Sequence, residues 1–193
     1  MFYAPGLNST PWYNSCMDEQ INHFQIIRNY LAANEAKDIF IEGNKIKSFE
    51  DILSAFNNIE DKKLTDLVAD KDRLKRFFGH SWFEKEVDLK YIGGWPQVGD
   101  LEKDWCQGSV IDIASQVSIN RNSGKRHIKK IYEMVPIIDE ILASFPPILV
   151  QGGEIRRGND LLFLPFDADD GSHRCIAAVL AGRDRIKAYV GIM

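Results

Sequence analysis

The sequence predicts an α/β protein, with a mostly helical front part (1–107) joined to an α/β unit at the C-terminus (108–193). Three observations predict it. The chain has 193 residues, 45% hydrophobic and 27% charged, which suits one globular domain or two small ones. Its front half carries capped segments with helical periodicity. Its back half alternates short apolar runs, turn residues and an Ala-rich helix.

The elements follow in order. Residues 1–12, with Pro5, Gly6 and Pro11, read as an irregular leader. Ser15-Cys16-Met17-Asp18 has the form of a capping box. Ile21, Phe24, Ile27, Tyr30 and Leu31 behind it predict a helix from about Asp18 to Ala33. Asp38–Glu42 is a short apolar run before Gly43-Asn44 and predicts a strand. Ser48-Phe49-Glu50-Asp51 is a second capping box, opening a helix through about Asn57. A further helix is expected over Lys63–Phe78, stopping at Gly79. Lys90–Gly108, rich in Gly and carrying Trp95 and Trp105, reads as a loop or linker with aromatic anchors.

Farther on, the apolar alternation in Ser109–Ile119 predicts a strand. Asn120–Lys130 is polar and basic. Ile131–Ser144 predicts a helix, with Pro136 early in it or kinking it. Strands are expected at Ile148–Val150 and Leu161–Phe166, around a turn at Arg156–Asn159. Asp167–Gly171 reads as a tight acidic turn. His173–Ala181 reads as a helix closed by Gly182, and Ile186–Val190 as a final strand.

Composition excludes several classes of function. The longest apolar runs, such as Ile176–Ala181, are far short of the roughly 20 residues of a membrane helix. The N-terminus lacks the basic start and apolar run of a signal peptide. Cys16, Cys106 and Cys175 form no CxxC pair, so neither a disulfide scaffold nor a zinc ribbon is expected, and a reducing cytoplasm is the natural setting. The net charge of −4 weighs against a chain that binds nucleic acid over its whole surface. The charge is uneven: residues 1–114 hold 13 basic and 19 acidic side chains, residues 115–193 hold 11 and 9. Neither a GxxxxGK[ST] P-loop nor a GxGxxG fingerprint is present.

The chemistry concentrates in Asp167–Arg174 (DADDGSHR). A glycine before a helix start lets a ligand approach the first amides, which are unpaired and lie at the positive end of the dipole. Ser172 can cap that helix or bind a phosphate oxygen, and His173 and Arg174 add donors at the same end. This is the composition of an anion site, most often for phosphate. The run Arg121–Lys130, with Arg121, Lys125, Arg126 and Lys129, is a candidate nucleic-acid-binding or steering cluster. His23 and His80 stand isolated.

With its flanks, the segment Pro146–Val150, a hairpin, a strand, then Asp170-Gly-Ser-His-Arg174, an Ala-rich helix and a closing strand resembles the ParB/sulfiredoxin superfamily. Its free-standing members carry Asp-Gly-His-His-Arg or Asp-Gly-Asn-His-Arg at this place. Lys130, ahead of the helix that ends at Pro146-Pro147-Ile148, resembles the nucleotide-binding lysine of sulfiredoxins. The resemblance covers about Gly108–Ile192. It implies a site for ATP or CTP, with Gly171, Ser172, His173, Arg174 and Lys130 on the phosphates. Asp169 and Asp170 are the expected holders of Mg2+, and Asp170 or His173 the expected general base. Ser172 replaces the nucleophilic cysteine of sulfiredoxins, so sulfinic-acid reduction is not expected.

The expected activity is that of a nucleotide-binding phosphohydrolase, an ATPase or a nuclease like some fertility inhibition factors. A small-molecule kinase is a variant of the same reading. The alternatives are a CTP- or DNA-binding partition-type regulator without turnover, or an interaction protein whose front part grips a protein partner.

Overall fold

The structure is a computed structural model that describes residues 19–37, 48–94, 98–152, 154–157 and 160–193. The leader, the Ser15–Asp18 box, the strand expected at Asp38–Glu42, Trp95 and the turn at Gly158-Asn159 lie outside the described residues.

Strand β1 (Gln20–Ile21) leads to helix α1 (His23–Glu35), whose cap is Asn22. The helix therefore begins five residues later than expected. Helix α2 (Phe49–Asn57) opens on Ser48, and the capping box with Asp51 is formed in both directions. The single helix expected over 63–78 is two, α3 (Asp61–Leu67) and α4 (Lys71–Gly79). The break is at Asp70, whose carboxylate accepts from the amides of Asp72 and Arg73 and so starts a new helix.

Next come β2 (Ser81–Asp88) and β3 (Ile92–Gly93), both unpredicted. Residues 109–119 are not a strand but helix α5 (Val110–Ile119). The buried residues Val110, Ile113, Ala114 and Val117 recur at helical spacing, and Ser109 and Asp112 form a capping box. Here cap and period outweigh the β-branched composition. Pro136 sits in a 3-10 turn (Val135–Ile137) that separates α6 (Arg126–Met134) from α7 (Ile138–Ser144). There follow β4 (Ile148–Gln151), the hairpin β5 (Glu154–Arg157) and β6 (Asp160–Phe163), β7 (Phe166–Asp170), α8 (Ser172–Leu180) and β8 (Arg185–Ile192). The acidic run 167–170 is thus a strand rather than a tight turn, and only Gly171 turns.

Six strands form one mixed sheet in the order β1-β2-β8-β4-β7-β3. The ladder between β2 and β8 is antiparallel from Ser81↔Ile192 to Asp88↔Arg185. β4 runs parallel to β8 and antiparallel to β7. Strands from both sides of residue 108 therefore share hydrogen bonds in one sheet. Alternating residues send side chains to opposite faces. Leu149, Ile186, Ala188 and Val190 join the core formed with α5–α8. Ile148, Val150 and Trp82 pack against α1, α3 and α4. Trp82 is fully buried and donates its indole N–H to Phe77 O at 2.8 Å. No described helix is long and apolar enough to cross a membrane.

Candidate functional site

The DGSHR segment lies at the floor of a cleft of about 340 Å3. The cleft is walled by the end of α1 (Lys37), by α4 (Arg73), by the loop at Val98-Gly99 and by α6 (His127, Lys130). Its floor is the end of β7 and the start of α8.

The helix start is well suited to an anion. Gly171 takes φ +96, a left-handed conformation in which a side chain is strained. A Cβ there would also lie 3.0 Å from Pro147 Cβ and 2.9 Å from the Arg174 guanidinium. Among the described residues no side chain caps α8, and the first intrahelical bond runs from Cys175 N to Gly171 O. The amides of Ser172, His173 and Arg174 precede that bond and are the orphan donors of the helix. Asn29 donates to Pro146 O at 2.9 Å, and Tyr189 N donates to Pro147 O, which seats the Pro-Pro corner under Gly171.

Of the five residues expected to touch ligand, four are placed alike and Arg174 differently. Gly171, Ser172, His173 and Lys130 line the cleft. Arg174 also borders it, but its side chain is only 5% exposed and its donors are used inward. It donates to Phe145 O and to Asp170 Oδ2, tying the end of α7 to the end of β7. Arg174 is therefore a structural cation and not the free phosphate donor the motif suggests.

The two acidic residues expected to hold Mg2+ are engaged as well. Asp169 accepts from Arg73 Nε at 3.0 Å and from Arg76 at 2.7 Å, one guanidinium on each carboxylate oxygen. Arg73 also donates to Asp169 O and to Tyr30 Oη, over whose ring it lies. Asp170 is held by Arg174. Both carboxylates are matched with guanidinium groups, and no group of three metal-ligating side chains converges among the described residues. This donor set does not fit a divalent cation, which requires oxygens free to coordinate. Asp170 is for the same reason not a free base.

His173 forms a pair with His127, a residue that the sequence reading passed over as part of a basic run. A hydrogen bond of 2.7 Å joins His127 Nδ1 and His173 Nε2, one nitrogen carrying the proton. The rings stack with centroids 4.8 Å apart. Burial first, then the charges of His127, Lys130, Lys37 and Arg174, push His173 down to about 3. Burial also lowers His127, with Asp100 opposing and Lys130 and Arg126 adding. Both rings are neutral near pH 7. Gly99 makes the pair possible: its φ is +57, and a Cβ there would stand 2.2 Å from the His127 ring.

The predicted nucleic-acid cluster is mostly spoken for locally. Arg121 lies over Tyr132, Lys125 pairs with Glu102 at 2.8 Å, and Lys129 faces Glu133 at 3.7 Å. Arg126 is exposed at the start of α6. Cys106 and Cys175 are free and buried, and burial drives the Cys175 thiol up to about 12, out of reach of thiolate chemistry.

Asp167 is the remaining acid of the motif. It opposes Val150 on β4, and its Oδ1 is buried without a hydrogen-bond partner among the described residues. Burial raises it from 3.8 to about 6. A raised carboxyl binds its proton more tightly when folded, so its contribution is full below pH 4 and is lost as pH rises through 6. Asp167→Asn is expected to stabilise the fold at pH 7.5 by about 1 kcal/mol, the linkage value being discounted for the part that water reaches. At pH 4 little change is expected. Urea unfolding at the two pH values checks the sign.

Lys37, Arg73 and His127 were not legible as site residues. His127 and Lys130, three apart on one helix, carry the available sequence signal, since that spacing places them on one face. Comparison with family models, with curated proteins and with solved structures finds no match for this chain.

Proposed function

We propose that the cleft at the start of α8 binds the phosphate groups of a nucleotide, ATP or CTP, and that the protein is a nucleotide-binding phosphohydrolase. The observation that carries this reading is the convergence of an uncapped nine-residue helix start with Lys37 and Lys130 on one cleft, whose wall also holds Arg73 in its pair with Asp169. Orphan amides and cations aimed at one point favour a phosphate and the extra charge that develops on it during transfer. A small ligand is favoured over a nucleic-acid strand, because three of the four cations in the predicted strand-binding cluster are paired with their neighbours. The roles follow from placement. The Ser172 and His173 amides hold phosphate oxygens, Lys130 and Lys37 balance charge, and the neutral histidine pair accepts or returns a proton. Free, buried thiols suit a cytoplasmic setting.

A second reading, a partition-type regulator that binds without turnover, is favoured by one fact. Arg174 is used to hold the fold rather than the ligand.

Phosphate release from ATP and CTP by the wild type and by Lys130→Ala separates the two. The hydrolase reading expects release that falls about tenfold or more in the variant, the loss of one charge-assisted contact. Binding without release selects the regulator. Neither binding nor release removes the nucleotide site.

A further inference from the structure

We infer that ligand binding at this cleft is proton-linked: the His127–His173 pair takes up a proton as the cleft takes up a phosphate-bearing anion. The inference rests on the phosphate site proposed above and adds its control by pH.

The pair is built to hold one proton fewer than it can accept. Its 2.7 Å bond contains one proton between Nδ1 of His127 and Nε2 of His173. The neutral pair carries its other proton on one outer nitrogen, so an added proton goes to the remaining outer nitrogen, and the resulting imidazolium then donates across the bridge to its neighbour. Hydrogen bonds of that charge-assisted kind are stronger than neutral ones. The charges around the pair work against this step. Facing the pair are Lys130 and Arg126 on α6, Lys37 at the end of α1, Arg73 on α4 and Arg174 on α8. Asp100 opposes them from the loop, accepting from His127 N at 3.3 Å. Asp169 and Asp170 are already balanced by arginines. Low exposure first, and then the nearby charges of Lys130, Lys37 and Arg126, keep both rings neutral.

A phosphate group seated at the helix start reverses the balance. An opposite charge within hydrogen-bond range moves a titrating group by roughly 1–3 pH units, and a polyphosphate brings several. That shift raises the pair from its depressed position toward neutrality. Binding then strengthens as pH falls, by up to about tenfold per pH unit while the bound site holds one proton more than the empty one. The same shift suits the chemistry, because an acid–base group works best when it titrates near the operating pH. The ligand itself would move the pair toward that range.

The test is calorimetric titration with ATP in buffers of differing ionisation enthalpy, at pH values from 5.5 to 8. The wild type is compared with a variant carrying His127→Gln and His173→Asn. The variant subtracts the titration of ATP itself. The expected result is proton uptake in the wild type exceeding that of the variant by up to one proton, and a steeper tightening toward low pH. Equal proton numbers with binding intact overturn the linkage and leave the phosphate site standing. No ATP binding by the wild type at any pH overturns both. Should the variant fail to fold, the imidazole NMR titrations of the wild type decide. Midpoints that rise on saturation with ATP support the linkage, and midpoints that stay put overturn it.

Discussion

Arg174→Ala is expected to cost about 3–5 kcal/mol of folding stability, the penalty for breaking a buried ion pair from one side. Its side chain is 5% exposed and Asp170, its partner, 12%. Truncation leaves the Asp170 carboxylate and the Phe145 carbonyl without their donor at the junction of α7, β7 and α8. A domain has only about 5–15 kcal/mol in hand, so the variant should lose a large share of its fold at 37 °C. Denaturant unfolding measures this directly. A variant that folds normally and loses only ligand affinity would show that the guanidinium serves the ligand after all. The result also bears on how the motif is read. Loss of activity on mutating this arginine reports on the scaffold, so Lys130 and His173 are the better probes of chemistry.

Asp169→Ala is expected to have effects of opposite sign on stability and binding. The carboxylate is 8% exposed and pairs with two guanidinium groups, Arg73 and Arg76, which are 23% and 38% exposed. Removing it unpairs both, at a cost of about 2 kcal/mol, less than for Arg174 because water reaches both arginines. It also removes a negative charge from the cleft and frees Arg73 at its wall. At an effective dielectric near 20, one charge removed from roughly 10 Å away changes the energy of a bound anion by about 1–2 kcal/mol, or at least fivefold in affinity. Nucleotide should therefore bind more tightly to the less stable protein. A carboxylate that held magnesium would behave in the opposite way, with binding in the presence of the metal falling sharply. Thermal unfolding and nucleotide titration on the same preparation distinguish the two.

What the sequence disclosed was local. The Ser48 capping box, the closing Gly182, the Pro-Pro corner and the helix behind Gly171 all depend on neighbours within a few residues, and the structure places them where expected. Misread elements share another cause. Strand β2 reads Ser-Trp-Phe-Glu-Lys-Glu-Val-Asp, and its charged middle looks like a surface segment until Arg185 and Lys187 of β8 supply cross-strand partners. Helix α5 is rich in Val and Ile, and its alternation hid a helical period. The run Asp167–Asp170 looks too acidic for a strand in the middle of a sheet. Arg73, Arg76 and Arg174 pair with two of those acids, and burial raises the third, Asp167, to about 6.

The candidate site divides in the same way. Its helix start was legible because glycine, orphan amides and donors lie together in the chain. Its walls were not. Lys37, just past α1, and Arg73 on α4 reach the cleft from far upstream of the motif, and only the packing of α1 and α4 against the sheet brings them there. The fate of the acids was hidden for the same reason. Asp169 is a free metal ligand on paper until Arg73 and Arg76 arrive from |i−j| of 96 and 93.

The central claim is that the amides opening α8 hold the anion. Backbone amide NMR during titration with ATP tests it most directly. The account predicts saturable downfield shifts of the Ser172 and His173 amide protons, as orphan donors gain phosphate acceptors, with companion shifts at His127 and Lys130. Saturable shifts confined to Arg121–Lys129 would move the site to the basic run. No saturable shift at Ser172 and His173 would contradict the account.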